Sequence, residues 1–274
     1  MNKPMIDRRG LLALGGSAAL AAGWSGNARA AAGKNFVTAN NSGYDTLDPH
    51  TVFDIGRIGS RLNMYDCLVR WVDNPPKLQM WLADKIDITP DGITYTVAMK
   101  QGATFHDGSP ITADDVVFSM ERILAMKQGA YGLYKGVIDP GKTKALDAHT
   151  VRFTLNQPYA VFSATLSELW VVNSKLLRQH DKSGDLGAGW LARNEAGSGG
   201  FTLHRYDPAI GFQADRFEQH FAGFGKSNIT STEFRVVLET ASRALGLQKG
   251  EFNTTDGYLP QDQIKRLRQV DSVQ

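Results

Sequence analysis

Cysteine is nearly missing from this chain: Cys67 stands alone among 274 residues. A single thiol closes no intramolecular disulfide, which excludes a fold held together by cross-links. Cys67 lies in MYDCLVRW, an apolar context that fits a buried, inert thiol better than a nucleophile. Paired histidines are missing as well. His50, His106, His149, His180, His204 and His220 include no pair three or four residues apart, and no H-E-x-x-H occurs, which argues against an intrinsic zinc site. No G-x-S-x-G marks a hydrolase nucleophile. The apolar run Leu11–Ala22 is too short to span a bilayer. A basic field is lacking too. The formal charge is +2, residues 1–30 hold Lys3, Arg8, Arg9 and Arg29 against Asp7, and removing that +3 leaves −1, which gives nucleic acid or anionic lipid nothing to bind. With 42% hydrophobic and 21% charged residues, the rest is ordinary globular protein.

The first thirty residues read as an export signal: Arg8-Arg9, then Leu11–Ala22, then Ala28-Arg29-Ala30 as a small-residue cleavage zone ending at Ala30. Asp7-Arg8-Arg9-Gly10-Leu11-Leu12 resembles a twin-arginine signal, although Asp7 replaces the usual Ser or Thr; a Sec-type leader is the alternative. Either route predicts a soluble mature protein in the periplasm of a two-membraned bacterium.

The most informative stretch is Tyr95–Arg122, YTVAMKQGATFHDGSPITADDVVFSMER. Tyr95, Val97 and Met99 alternate with Thr96, Ala98 and Lys100, the period of a strand with one buried face. Gln101-Gly102 and His106–Pro110 supply turns. Thr112 is a candidate N-cap with Asp115 three residues on, and Asp114-Asp115 suit the positive end of a helix dipole. Val116, Val117, Met120, Ile123 and Leu124 then form a helical stripe. Strand, turn and capped helix follow in that order.

These residues resemble the signature segment of the family 5 extracellular solute-binding proteins, the peptide-, dipeptide- and nickel-type receptors of ABC importers. Lys100, Gly102, Phe105, Asp107, Gly108, Pro110, Thr112, Ala113, Asp115 and Val116 match its pattern in order. The likeness continues through the strand Asn35–Asn40, Leu47-Asp48-Pro49 in the "L-D-P" loop, a helix over Gly59–Arg70, and Trp81–Asp84. It goes on through the strand around Val151, Phe153 and Leu155 and the Gly-rich turn Ala196–Phe201, and between them Ala160–Leu169 reads as a helix. That turn has no Lys-Ser/Thr after it and no dinucleotide spacing, so it reads as structural. Phe234, Val236 and Leu238 alternate in a strand over Glu233–Glu239, and a helix that Thr240 can cap and Gly250 can stop follows; Arg243, Leu247 and Gly250-Glu251-Phe252-Asn253, with Asn253 where Asp is usual, complete the match. A helix over Tyr258–Gln269 and a strand start at Val270–Gln274 follow.

The resemblance implies an α/β fold, the two-lobed periplasmic-binding-protein-like architecture of the peptide-receptor type. Residues 31–65 and 171–274 are expected to form an incomplete lobe I and 66–170 its inserted subdomain, with the second ligand-binding lobe absent. It implies capture of a peptide-like or other small solute by hinge closure and delivery to an inner-membrane ABC permease and its ATPase subunits, with no cofactor, no enzyme activity and no nucleic acid. The export machinery is a further partner. A ligand-presenting chemosensory protein or a non-binding relic is the alternative, and a secreted hydrolase comes third. His106, Asp107 and Ser109 hold the residue types of a catalytic triad, but neighbours in one tight turn do not meet its geometry, and Asp107 is expected to accept backbone N–H bonds in its turn. The ligand-binding residues implied are Phe53, Asp54 and Ile55 after the "L-D-P" loop, where extended ligand backbone would pair. Asp256, Gly257 and Tyr258 are implied from the same lobe and Tyr131 from the subdomain. Phe53 and Ile55 also read as core residues, and Tyr131 with Tyr134 as packing aromatics. Asp54 and Asp256 suggest recognition of a cationic group.

Overall fold

A computed structural model describes residues 34–270. The leader over residues 1–30, its cleavage point, and the expected strand beyond Val270 lie outside the described residues.

Strand β1 (Lys34–Asn40) runs into a loop that ends at the helix α1 (Ile58–Met64). The helix expected to reach Arg70 stops early: Tyr65 is extended, Asp66–Cys67 form β2, and Val69–Val72 form β3 in a hairpin with β4 (Lys77–Met80). Tertiary pairing overrides the local pattern, since β2 pairs antiparallel with Trp170–Val171, far along the chain, and Val and Trp in β3 suit a pleated surface. Next come β5 (Ala83–Ile88), β6 (Thr94–Met99) and the helix α2 (Ala113–Met126). Tyr95, Val97 and Met99 are buried as their alternation predicts. At the start of α2 the Thr112 N–H and hydroxyl both donate to Asp115 Oδ2, at 2.9 and 2.8 Å.

The single turn α3 (Tyr131–Tyr134) precedes β7 (Thr143–Asp147) and β8 (Thr150–Thr154). With β5 and β6 these make an antiparallel sheet of order β5-β6-β8-β7. Across its inner face Val97, Val151 and Phe153 meet Val116, Met120 and Ile123 of α2 in one buried cluster. Each such side chain taken out of water stabilises the fold by about 1.5–3 kcal/mol. The helix expected over Ala160–Leu169 is shorter: α4 (Phe162–Thr165) gives way to a 3-10 turn at Leu166–Glu168, because Trp170–Val171 must straighten into β9 to meet β2.

Two short helices, α5 (Ser174–Gln179) and α6 (Ala188–Leu191), lead to β10 (Phe201–Asp207), β11 (Gly211–Arg216) and β12 (Ile229–Val236). The strand expected over Glu233–Glu239 begins four residues earlier and ends at Val236; Leu238 lies beyond it and is 69% exposed. The helix α7 (Thr240–Lys249) stops at Gly250 in the left-handed conformation, as read from sequence. Finally β13 (Thr254–Thr255) and α8 (Gln261–Leu267) complete the described chain, α8 being shorter than the expected Tyr258–Gln269. The second sheet has order β10-β11-β12-β1-β13, with β1 parallel to both β12 and β13.

The β2–β9 pair lies where the chain passes between the two sheets, and within it Asp66 is fully buried. Its carboxylate accepts from Trp81 Nε1 at 2.6 Å and Ser198 Oγ at 2.9 Å, and lies 3.3 Å from His220 Nε2. Cys67 next to it is buried, and desolvation pushes its thiol up to about 12, so it is inert as the sequence suggested.

Candidate functional site

In open α/β sheets, ligands bind outside the carboxyl ends of parallel strands. Here β1 is flanked by two parallel strands, so the loops leaving β1 (41–57), β12 (237–239) and β13 (256–258) emerge at one end of the sheet. Phe53, Asp54 and Ile55 fall in the first loop and Asp256, Gly257 and Tyr258 in the third, so the topology brings both sequence-derived groups to the same end.

Backbone hydrogen bonds lock these loops together. Asp256 Oδ2 accepts from the Asn41 N–H, Oδ1 accepts from the Tyr258 N–H at 3.1 Å, and the Asp256 N–H donates to the Ala39 carbonyl at 3.2 Å. One residue before β13, Asn253 Oδ1 accepts from the Val37 N–H at 2.7 Å, an acceptor role that the family's usual Asp would fill equally. Tyr44 sits under both loops, fully buried, its hydroxyl accepting from Asn40 Nδ2. Burial, with the charges of Asp54 and Asp256, drives its phenol well above the ordinary range.

Three side chains stand out from this frame: Phe53 is 52% exposed, Ile55 74% and Tyr258 56%. Phe53 and Ile55 are therefore not core residues. Gly257 is exposed with open space where a side chain would project. The two carboxylates behave differently. Asp54 Oδ1 accepts from the Arg57 N–H at 2.8 Å and Oδ2 lies 3.1 Å from Arg57 Nε, while both oxygens of Asp256 serve backbone amides. Asp54 is spent within its own loop and Asp256 on joining its loop to Asn41, which takes away the support for their reading a ligand cation.

Tyr131 opens α3 and packs half-buried against the core of the first sheet, with its hydroxyl bonded to no described residue. Its neighbour Gly129 (φ +55°) presses on the turn before Phe53: a Cβ there would lie 2.4 Å from the His50 carbonyl oxygen. The Tyr131 segment thus abuts the Phe53 loop. Tyr134, by contrast, is buried and donates to the Thr165 carbonyl at 2.8 Å, a packing residue.

Sequence reasoning missed two groups that hold the loop. Asp48 of the "L-D-P" motif makes a fork-to-fork ion pair with Arg122 of α2, at 2.8 Å to Oδ1 and 2.5 Å to Oδ2, both side chains fully buried. Arg122 Nη1 also donates to His50 Nδ1 at 3.0 Å, and His50 Nε2 bonds the Trp170 carbonyl at 2.7 Å. The second group is Arg61 on α1, which donates to the Val52 carbonyl at 2.7 Å and the Asp54 carbonyl at 2.8 Å. Arg122 closes the signature segment and Asp48 sits in a recognised motif, so both were visible; their partnership across the chain was not.

The triad residues are committed elsewhere. His106 directs Nδ1 to Glu195 Oε1 at 2.8 Å and Nε2 to the Gly199 carbonyl at 2.9 Å, away from Ser109. Asp107 accepts from the Ser109 N–H at 2.9 Å and from Asn173 Nδ2 at 2.9 Å, the turn role expected of it. The Gly-rich turn receives the His106 N–H at the Gly197 carbonyl, so it joins the signature loop to the second sheet. Among the described residues no three His, Cys, Asp or Glu side chains converge as a metal site requires.

Known proteins share this chain's sequence and fold over most of its length. The model of the bacterial extracellular solute-binding proteins, family 5 Middle, matches residues 77–274. The chain is 33% identical over 235 residues to the probable D,D-dipeptide-binding periplasmic protein DdpA of Escherichia coli K12, covering 83% of this chain and 44% of that protein. It is 30% identical over 250 residues to the glutathione-binding protein GsiB of the same strain, covering 90% and 46%. The chain thus spans less than half the length of these curated relatives. Among solved structures, the periplasmic binding protein DppA of Helicobacter pylori, in complex with the peptide STSA, superposes with a TM-score of 0.76 at 23% identity, over 87% of this chain and 49% of that one. The oligopeptide-binding protein AppA of Bacillus subtilis, in complex with a nonapeptide, gives 0.77 at 21%, over 87% and 46%. Those two likenesses speak for the fold and agree with the two-lobed α/β class expected from the sequence, of which this chain corresponds to about half. By sequence and by fold, the chain belongs to the bacterial extracellular solute-binding proteins of family 5.

Proposed function

We propose that this chain supplies one face of the ligand cleft of a periplasmic receptor for an ABC importer, which takes up a peptide-like or other small solute. The observation that carries this is the end of the second sheet, where Phe53, Ile55 and Tyr258 stand exposed above loops in which the Asp54 and Asp256 carboxylates are committed. Phe53, Asp54, Ile55, Asp256, Gly257 and Tyr258 form the face, and Tyr131 approaches it from the neighbouring sheet. Residues 31–65 and 171–274 act as one lobe and 66–170 as its subdomain, a division supported by the β2–β9 crossing and the two separate sheets. Solute stabilises a closed form that the permease recognises, and its ATPase partner drives uptake. The leader directs export by the twin-arginine or the Sec route.

The relatives' names suggest the probes. Thermal unfolding of the full-length protein is followed with D-Ala-D-Ala, glutathione, and tri- and tetrapeptides. A binder present at 100 times its Kd stabilises the native state by about 2.7 kcal/mol and raises the midpoint. A flat response to every member of that panel and to free amino acids, confirmed by calorimetry, sinks the peptide-receptor reading.

A further inference from the structure

We infer that Arg61 is the positioning residue of the binding face: it turns the segment Val52–Ile55 so that the Phe53 peptide group and the Phe53 and Ile55 side chains are offered outward. This deepens the function proposed above and rests on it. Arg61 is only 3% exposed, and its guanidinium donates to the Val52 carbonyl at 2.7 Å through Nη1 and to the Asp54 carbonyl at 2.8 Å through Nη2. Carbonyls two residues apart meet one donor on one side when the chain between them is extended, and the intervening peptide group then faces the other way. The side chains agree with that alternation. Val52 and Asp54 are half-buried, whereas Phe53 and Ile55 are exposed. Among the described residues no hydrogen bond engages the Phe53 N–H or C=O. A backbone edge held open in this way is what an extended ligand needs for strand-like pairing.

A guanidinium suits the task because its planar fork reaches two carbonyls at fixed separation. Its charge is offset nearby by Glu168, whose own carboxyl is pushed up by burial and drawn back by Arg61. The Asp54 side chain is taken by Arg57, so it leaves the Asp54 carbonyl to Arg61.

The test compares wild type, Arg61→Ala and Arg61→Lys in the full-length protein. Chymotrypsin, with no ligand present, is timed at two exposed aromatic sites: Phe53 in the held segment and Trp71, 51% exposed on the β3–β4 hairpin. Arg61→Ala is expected to speed cleavage after Phe53 by about tenfold with cleavage after Trp71 unchanged, and Arg61→Lys to fall between. Calorimetry with tetra-alanine supplies the second readout. Losing two hydrogen bonds from a charged donor should weaken binding by about 10- to 100-fold in Arg61→Ala and less in Arg61→Lys. Equal cleavage after Phe53 in wild type and variant, equal acceleration at both sites, or unchanged affinity overturns the assignment. Should Arg61→Ala not fold, Arg61→Lys decides by the same criteria. A wild-type protein that ignores tetra-alanine counts against the peptide-receptor reading, while the cleavage pattern still decides what Arg61 does.

Discussion

His50 keeps Nε2 on the Trp170 carbonyl, so that nitrogen carries the proton and Nδ1 accepts from Arg122. Burial, then the Arg122 charge, lowers its pKa to about 4. Its unfolded value is about 6.5, so the unfolded chain binds the extra proton first. The stability tied to neutral His50 is therefore complete above pH 6.5 and is lost as pH falls toward 4, by about 3 kcal/mol at roughly 1.4 kcal/mol per unit. His106 has the opposite sign. Burial opposes its charge, but Glu195, the Gly199 carbonyl and Asp66 outweigh it and raise its pKa. Its contribution is complete below pH 6.5 and disappears as pH rises through the raised value. Urea unfolding at pH 5 and pH 8 should show the deficit of His50→Gln shrinking toward acid and that of His106→Gln shrinking toward base; parallel curves would refute both assignments. Arg122→Met leaves Asp48 charged in the core and should cost about 3–5 kcal/mol, against less than 1 kcal/mol for an exposed pair such as Lys85–Asp87.

At the scale of elements, the start of α2 does more than cap itself. Asp115 Oδ2 serves Thr112, and Oδ1 accepts from the Ser174 N–H at 3.0 Å, so one carboxylate fixes the start of α2 against the start of α5. Asp115→Ala should lose about 2–4 kcal/mol in denaturant, roughly a cap plus a stranded buried amide, and about 1 kcal/mol would mean that the α5 contact is idle. This element was legible in the sequence because period two, turn residues and capping chemistry are local signals. The ends of α1 and α4 were not, since Tyr65–Cys67 and Trp170–Val171 take their shape from each other across the fold. The β10–β11 hairpin carried no such signal and went unread. Its turn ends at Gly211 (φ +124°), where a Cβ would lie 1.8 Å from the Phe234 carbonyl oxygen, a constraint set by β12 rather than by neighbours in sequence. The candidate site divides the same way. Phe53 and Tyr258 could be proposed by resemblance, whereas the Asp48–Arg122 pair joins positions 74 apart, and Arg61 binds carbonyls of the adjoining loop, which carry no side-chain signal in sequence.

Across the whole molecule, the apolar rim and the locked carboxylates assign different parts to residues grouped together in the sequence reading. Phe53→Ala and Tyr258→Ala should each weaken solute binding by about 1–3 kcal/mol with the unfolding midpoint held, because they remove contact area. Asp256→Asn should instead lower the midpoint and weaken binding through the loosened loop. Calorimetry and thermal unfolding on the same three variants check this split, and an Asp256→Asn protein that loses affinity with an unchanged midpoint would make that carboxylate a direct ligand contact. The loop between β1 and α1 is tied at three places, to Asp256 through Asn41, to Arg122 through Asp48, and to Arg61 through Val52 and Asp54. Fixing a residue's backbone costs about 1–2 kcal/mol, and here that cost is met during folding. If this face takes a solute as proposed, the solute meets a wall already set, so the entropy of capture would fall on the solute and on the movement of lobes, and a stiff or flexible guest would be distinguished by its own rotational freedom rather than by any yielding of the surface.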